Sequence, residues 1–340
     1  MSQNNLKASE VHPDFIFTEF DRLMHLDIND LLQGREHFED TYCPACHRRD
    51  TPKAFTYQQL DYRRCQGCGL LYISPAPSEE QHLEFVRYSR AMAFWRQSQP
   101  EEMKAARKPM YEERAAFTLE TFRTFNITAQ SVLEVGAGNG EFAEELAARR
   151  PNMNIVLLEP QELDLQASGI EIITGGFDAL ERAERKFDAV IAWELIEHIL
   201  EPDNLLRLVR GALKPGAPLL LSTPNERSVE TRKLKTESSN ILFDHVRLYN
   251  PVAIQELLAR NGFRIISLST PGQLDVQRIK AYRNVNPEAF ADDPALNLIL
   301  DSPKSCDDYQ IFLQTHQLSS HMRVIAIADG EWNGSPTPRM

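Results

Sequence analysis

The stretch 131–140, SVLEVGAGNG, constrains this chain more than any other. SVLEV reads as a short apolar strand with one acid, Glu134, near its end. Gly136, Gly138 and Gly140 then alternate with small residues. EFAEELAARR follows at helical spacing. A strand, a glycine turn and a helix let the backbone pass close to a ligand and aim the first helical N–H groups at it. Taken alone the turn is a weak signal, because many strand-to-helix turns carry two glycines for steric reasons only. Its surroundings narrow the reading. No G-K-[ST] follows to cradle a triphosphate, and no third glycine is placed for a pyrophosphate. An acid stands there instead.

A strand-end acid beside close-packed glycines suits a ligand with a cationic ammonium and no phosphate. S-adenosylmethionine is such a ligand. From about 129 onward the pattern alternates strand and helix, which implies a parallel, doubly wound sheet. NIVLLEP (154–160) ends in Glu159, about twenty residues after the turn, where an acid suits the two ribose hydroxyls of an adenosine. EIITG (171–175) leads into GGFDAL, whose backbone can reach an adenine edge. FDAVIAW (187–193) runs into ELIEHI. NLLRLVRGALKPGA (204–217) is an amphipathic helix stopped at Pro-Gly, and PLLLSTPN (218–225) is a further strand. A helix ending at Asn261-Gly262, another strand and a last strand, HMRVIAIADG (321–330), complete the pattern. The predicted fold class is α/β, a Rossmann-like seven-stranded sheet. A small four-cysteine zinc ribbon and a helical connector precede it. In such sheets ligands sit at the carboxyl ends of the strands, where all these candidates fall.

The chain has five cysteines. Cys43 and Cys46 form one C-x-x-C and Cys65 and Cys68 another, with eighteen residues between the pairs. This is zinc-ribbon spacing. Each turn aims two sulfurs at one point, and two turns close a tetrahedron. Gly67 and Gly69 are expected to supply open backbone angles. Four thiolates leave no position for a substrate, so the metal is read as structural, and His47 is left out of the full tetrahedron. Disulfides, a redox pair or an iron site are the competing readings. A segment this small draws its folding energy from the metal.

The expected domains are an N-terminal extension (1–40), the ribbon (41–77), a helical connector or lid (78–128), the sheet domain (129–330, with 272–319 inserted before the last strand) and a disordered tail (331–340). His12, His25 and His37 in the extension are read as surface or packing residues. Pro100 and Pro109 are expected to punctuate the connector's helices. The net charge of −12 disfavours a nucleic-acid or anionic-membrane partner. No apolar run is long enough to span a bilayer, and the first residues lack the apolar core of a signal peptide. The expected location is cytoplasmic. A homodimer is a further expectation.

Together LEVGAGNG, the Glu159 of LLEP, FDAVIAWELIEHI, LKPGAPLLLSTPN and ARNGF resemble the class I S-adenosylmethionine-dependent methyltransferases. Within these the chain is most similar to the branch of ubiquinone-type O-methyltransferases and sugar or polysaccharide methyltransferases. The ribbon, with RCQGCGLLYISPAP, resembles the zinc module of deoxysugar C-methyltransferases. The sequence lacks the large extra C-terminal domain of those enzymes, which puts sugar C-methyl transfer in question, and it has LKPGA for the usual LKPGG. The resemblance implies roles by position. Glu134 and the backbone of Gly136 and Gly138 face the methionine part, and Gly140 completes the cofactor-binding turn. Glu159 holds the ribose, and Phe177 and Asp178 border the adenine. Trp193 and Glu194 lie beside the methionine tail and the reacting methyl.

Methyl transfer is an in-line displacement that needs an aligned nucleophile and, for a hydroxyl or amine, a base. His198 and His245 are the candidates, since histidine titrates near neutrality. The bland reading is that either only caps structure. Glu194, Glu197, His198 and His245 could also hold a second divalent metal. The leading function is methyl transfer to a small molecule, a hydroxylated metabolite or a nucleotide-linked sugar. An RNA methyltransferase gripping its substrate with Arg48, Arg49, Lys53, Arg63 and Arg64 of the ribbon is one alternative. A cofactor-binding scaffold without turnover is another.

Overall fold

The computed structural model describes residue 10 and residues 14–163, 165, 169–183 and 185–329. The tail expected at 331–340 and His12 lie outside them. The described residues fall into two compact units. The first runs to Ala106 and adds Thr223–Glu256 and Leu268–Arg323. The second comprises Arg107–Ser222, Leu257–Ser267 and the residues from Val324.

In the first unit a helix, Asp14–Leu31, buries Ile16, Phe20, Met24 and Ile28 at spacings of four. The cysteine segment builds strands β1 (Lys53–Tyr57), β2 (Leu60–Arg64) and β3 (Leu71–Ile73), paired antiparallel in that order. Two helices follow, Glu79–Tyr88 and Arg90–Gln97, and then a third, Glu101–Thr124, most of which belongs to the second unit. Ser78 starts the first: its hydroxyl accepts from Gln81 N at 3.2 Å, and the Gln81 side chain accepts from Ser78 N at 3.0 Å. Pro109 does not act as the expected punctuation. It lies inside the continuous helix Glu101–Thr124. It removes one backbone donor there, and the helix survives because Ala115 and Phe122 are anchored in a core.

The strands of the large sheet are β4 (Ser131–Val135), β5 (Asn154–Glu159), β6 (Ile170–Thr174), β7 (Ala189–Trp193) and β8 (Pro218–Pro224). Then come β9 (Arg247–Leu248), β10 (Phe263–Ser269) and β11 (His321–Ala328). The sheet has seven strands in the order β10-β11-β8-β7-β4-β5-β6, and β4 pairs parallel with both β5 and β7. A parallel sheet covered on both faces needs apolar runs, not alternation. All five residues of β7 and all seven of β8 are buried accordingly. The chain winds outward from β4 to β6 and then crosses to β7, so the switch point lies between β4 and β7. Phe142 and Leu146 of the helix Glu141–Arg149 pack on this sheet with Val132, Ile155, Ile191 and Trp193.

The remaining strand, β9, does not join the large sheet. It extends the cysteine segment into a four-stranded sheet, β1-β2-β3-β9. The segment 272–319 forms three helices, Asp275–Val285, Pro294–Asp301 and Pro303–Thr315. These close a small core around Ile279, Leu296, Leu300 and Leu313, to which the helix Val229–Leu234 adds Leu234.

Candidate active site

The second unit gathers most of the predicted cofactor residues at the carboxyl ends of β4, β5 and β7. Gly136, Gly138 and Gly140 all take left-handed backbone, with φ of +74°, +59° and +85°. Gly140 is the N-terminal cap of the helix Glu141–Arg149 and supplies no side chain to it. A Cβ on Gly138 would meet nothing within 4 Å, so that backbone faces open space. Its N–H donates to Glu159 Oε2 at 3.2 Å. The turn thereby fixes one oxygen of the acid at the end of β5.

Glu134 is only 3% exposed, and its Oε2 has no hydrogen-bond partner among the described residues. Burial pushes its carboxyl well above the usual carboxylate range. The Arg114 guanidinium opposes this, while Glu141 and Glu159 add to it. A buried, unsatisfied acceptor is costly, and a cationic donor is what would satisfy it. The residues present therefore fit the ammonium of S-adenosylmethionine.

Arg114 is the residue that the sequence reading missed. Its Cζ stands 5.6 Å from the Trp193 ring centroid, and its Nη2 lies 3.5 Å from Glu194 Oε1. Arg107, Tyr111 and Arg114 are spaced by four and three on the helix Glu101–Thr124, so they share a face. Burial lowers the pKa of Arg107 and raises that of Tyr111. Glu141 acts on both, and Glu134 on Tyr111 as well. The spacing was legible in the sequence, but nothing in it said that this face meets an acidic strand end.

Glu194 takes a left-handed backbone with φ +49°, an uncommon conformation for a side-chain-bearing residue. Its N–H donates to Ser222 O at 3.1 Å, and its carboxylate accepts from the Ser222 hydroxyl. With Arg114 also on it, Glu194 is built into the frame between β7 and β8. Trp193 is buried, with its ring edge-on to Phe142 at 5.7 Å and to Phe117 at 6.3 Å. Phe177 is partly buried ahead of the short helix Asp178–Ala183, and Asp178 is exposed and paired with Arg182. His198 ends a single 3₁₀ turn, Ile196–His198, with Nε2 4.0 Å from an oxygen of the fully buried Glu197.

The first unit holds His245 and the cysteines. His245 Nδ1 lies 2.9 Å from the backbone carbonyl of Asn240. A carbonyl only accepts, so in the neutral ring Nδ1 carries the proton and Nε2 the lone pair. The ligand atoms of Cys43, Cys46, Cys65 and Cys68 all lie within 4.8 Å of one another. The Cys43–Cys68 and Cys46–Cys65 sulfur pairs are each 3.5 Å apart. Cys68 holds the Cys43 thiol down to about 5, while burial pushes Cys46 up to about 11. Sulfurs this close cannot all ionise without a cation among them, and the set is consistent with zinc. The two knuckles repeat one geometry. His47 N donates to Cys43 O at 2.8 Å and Gly69 N to Cys65 O at 2.9 Å. Both donors are left-handed, with φ of +57° and +77°. His47 thus serves as a turn residue. Gly67 is not left-handed, contrary to expectation; a Cβ there would fall 2.4 Å from Arg48 Cδ, and its N–H donates to Cys65 Sγ at 3.3 Å.

Residues 101–268 match a family model described as a methyltransferase domain. The ubiquinone biosynthesis O-methyltransferase of Chromobacterium violaceum is 25% identical over 194 residues, which are 52% of this chain and 80% of that protein. The protein of the same name from Xanthomonas axonopodis pv. citri is 31% identical over 102 residues, 28% of this chain and 43% of that one. A solved S-adenosylmethionine-dependent methyltransferase from Archaeoglobus fulgidus aligns with 16% identity and a TM-score of 0.42, over 63% of this chain and 93% of that one. No helix among the described residues is long and apolar enough to cross a membrane. By the matched domain, its relatives and the ordered motifs on this sheet, the chain carries a class I S-adenosylmethionine-dependent methyltransferase domain.

Proposed function

We propose that the enzyme methylates a hydroxyl of a small molecule, with Glu134 and Arg114 binding the methionine end of the methyl donor. The observation that carries this reading is the buried Glu134 carboxylate, whose Oε2 lacks a partner among the described residues, beside an open glycine turn. The relatives' printed name, an O-methyltransferase of ubiquinone biosynthesis, supports an oxygen acceptor. S-adenosylmethionine supplies an electrophilic methyl on a sulfonium.

The chain's own residues do the rest. Glu134 accepts from the donor's ammonium. Arg114, partly buried near two acids, offers its guanidinium to the donor's carboxylate. Glu159, which accepts from Gly138 N–H at the end of β5, is the acceptor for the ribose hydroxyls. The acceptor hydroxyl is deprotonated as its oxygen attacks, with Nε2 of His245 as the base and His198 as the second candidate. The C–S bond breaks and the sulfur keeps the electron pair. The four cysteines hold zinc for structure, which requires a compartment that keeps them reduced.

The test is calorimetric titration of the zinc-loaded protein with S-adenosylmethionine, on wild type and Glu159→Ala. Binding at about micromolar Kd, weakened at least about tenfold in the variant, is the expected result. A folded, zinc-loaded protein that does not bind the donor would overturn the site assignment. Formation of S-adenosylhomocysteine across a panel of hydroxylated acceptors then tests the substrate class.

A further inference from the structure

We propose that the zinc ribbon is the frame of the His245 loop. Zinc held by Cys43, Cys46, Cys65 and Cys68 sets the conformation of residues 238–250, and through it the ring nitrogen that His245 presents. The inference rests on the reading of His245 as the base.

The ribbon reaches this loop at several points within the first unit. β9 is the fourth strand of its sheet, with Leu71 opposite Leu248 and Tyr72 opposite Arg247. Ile73 N donates to Val246 O at 3.2 Å. The fully buried Tyr62 of β2 donates its hydroxyl to Leu242 O at 3.4 Å. Arg247, 2% exposed, donates Nη1 to Ile73 O at 3.3 Å and lies 5.6 Å from the Tyr72 ring centroid. Asn250 joins a zinc knuckle to a helix. Its Nδ2 donates to Cys68 O at 3.1 Å, while its Oδ1 accepts from Val252 N at 2.9 Å and Ala253 N at 3.0 Å, at the start of the helix Pro251–Arg260.

The other end of the loop is pinned separately. Asn240 Nδ2 donates to Glu230 Oε2 at 3.0 Å and to Thr231 Oγ1 at 2.8 Å. Ser238 Oγ donates to Glu230 Oε1 at 2.9 Å. All four residues are buried. His245 lies between the two anchors, and its Nδ1 bonds the carbonyl of Asn240. Rotating or loosening either anchor moves that carbonyl away from the ring, and the preference for one tautomer goes with it.

The energetics make the metal decisive. A two-residue strand has no stability of its own, so β9 exists only while β3 is there to pair with it. β3 in turn follows directly from the second knuckle. Without zinc the knuckles lose the source of their folding energy. Asn240 and Asn250 are therefore positioning residues, acting on His245 from opposite sides.

Hydrogen exchange read by mass spectrometry, with long-range nitrogen NMR of the histidine rings, tests this on the full chain. Zinc is removed with a chelator, and S-adenosylmethionine titration is repeated on the stripped protein. The expected result is exchange at least about tenfold faster in 240–250 with little change in 131–140. The His245 spectrum passes from the single Nδ1–H tautomer to an average of tautomers. Donor affinity stays within about twofold, because the residues proposed to bind it lie in the second unit. Tyr62→Phe keeps every cysteine and its zinc, and its lost bond to Leu242 O is expected to speed exchange at 241–246 by about threefold. Protection and tautomer surviving metal removal would overturn the proposal. So would loss of donor binding in parallel with the metal, which would make zinc a support of the whole chain. If His245→Ala later turned over at the wild-type rate, the base assignment would fall while these structural readouts stood.

Discussion

Glu134 carries opposed demands. Its burial favours the neutral acid, while the proposed ammonium ligand favours the carboxylate. Its folded pKa is raised above the unfolded value, so the sign is fixed. The cost of keeping it charged is absent below the unfolded pKa and grows as pH rises through the folded one. Glu134→Gln is therefore expected to stabilise the ligand-free protein near neutral pH by about 1–3 kcal/mol, seen as a higher Tm that converges on wild type in acid. The same change is expected to weaken donor binding at least about tenfold. Binding by the wild type should tighten as pH rises and release a proton, read as a dependence of the calorimetric heat on buffer ionisation. Arg114→Ala removes the guanidinium that opposes the shift. Its donor affinity should fall more steeply than that of Arg114→Lys, which keeps the charge and loses the fork.

Elements show where local reading succeeds and where it stops. The strand ends, the glycine turn and the two C-x-x-C knuckles were legible because each is a local device. A positive φ, a run of buried apolar residues and a pair of sulfurs are all specified within a few positions. Pro109 was misread because its local effect is real and the packing around it is stronger. Pro109→Ala is expected to raise stability by about 1–3 kcal/mol, measured as a higher denaturant midpoint with an unchanged m-value. β9 was invisible because Arg247 and Leu248 carry no periodicity, and their pairing with Tyr72 and Leu71 is made across 175 and 177 positions of chain. Arg114 was passed over for a related reason. Its helix has a weak apolar stripe, and which face mattered was set by Glu194 and Trp193, far along the chain.

At the scale of the whole molecule the two units should answer to different ligands. Zinc stabilises what it binds and the methyl donor does the same, each by mass action on its own unit. Scanning calorimetry is expected to show chelation lowering one transition and saturating donor raising another, with a shift of a few kelvin at about a hundred times Kd. The sequence by itself determined the sheet, the glycine turn with Glu134 and Glu159 at the strand ends, and the four sulfurs. Each of these follows from residues that are neighbours in the chain or repeat with a strand's or helix's period. Only the tertiary structure decided that Arg114 pairs with Glu194, that 272–319 closes a core with Leu234, and that the ribbon takes its fourth strand from the His245 loop. Those choices follow from burial and hydrogen-bond pairing between distant segments. Their free energy exists only once the chain has closed the loops between them.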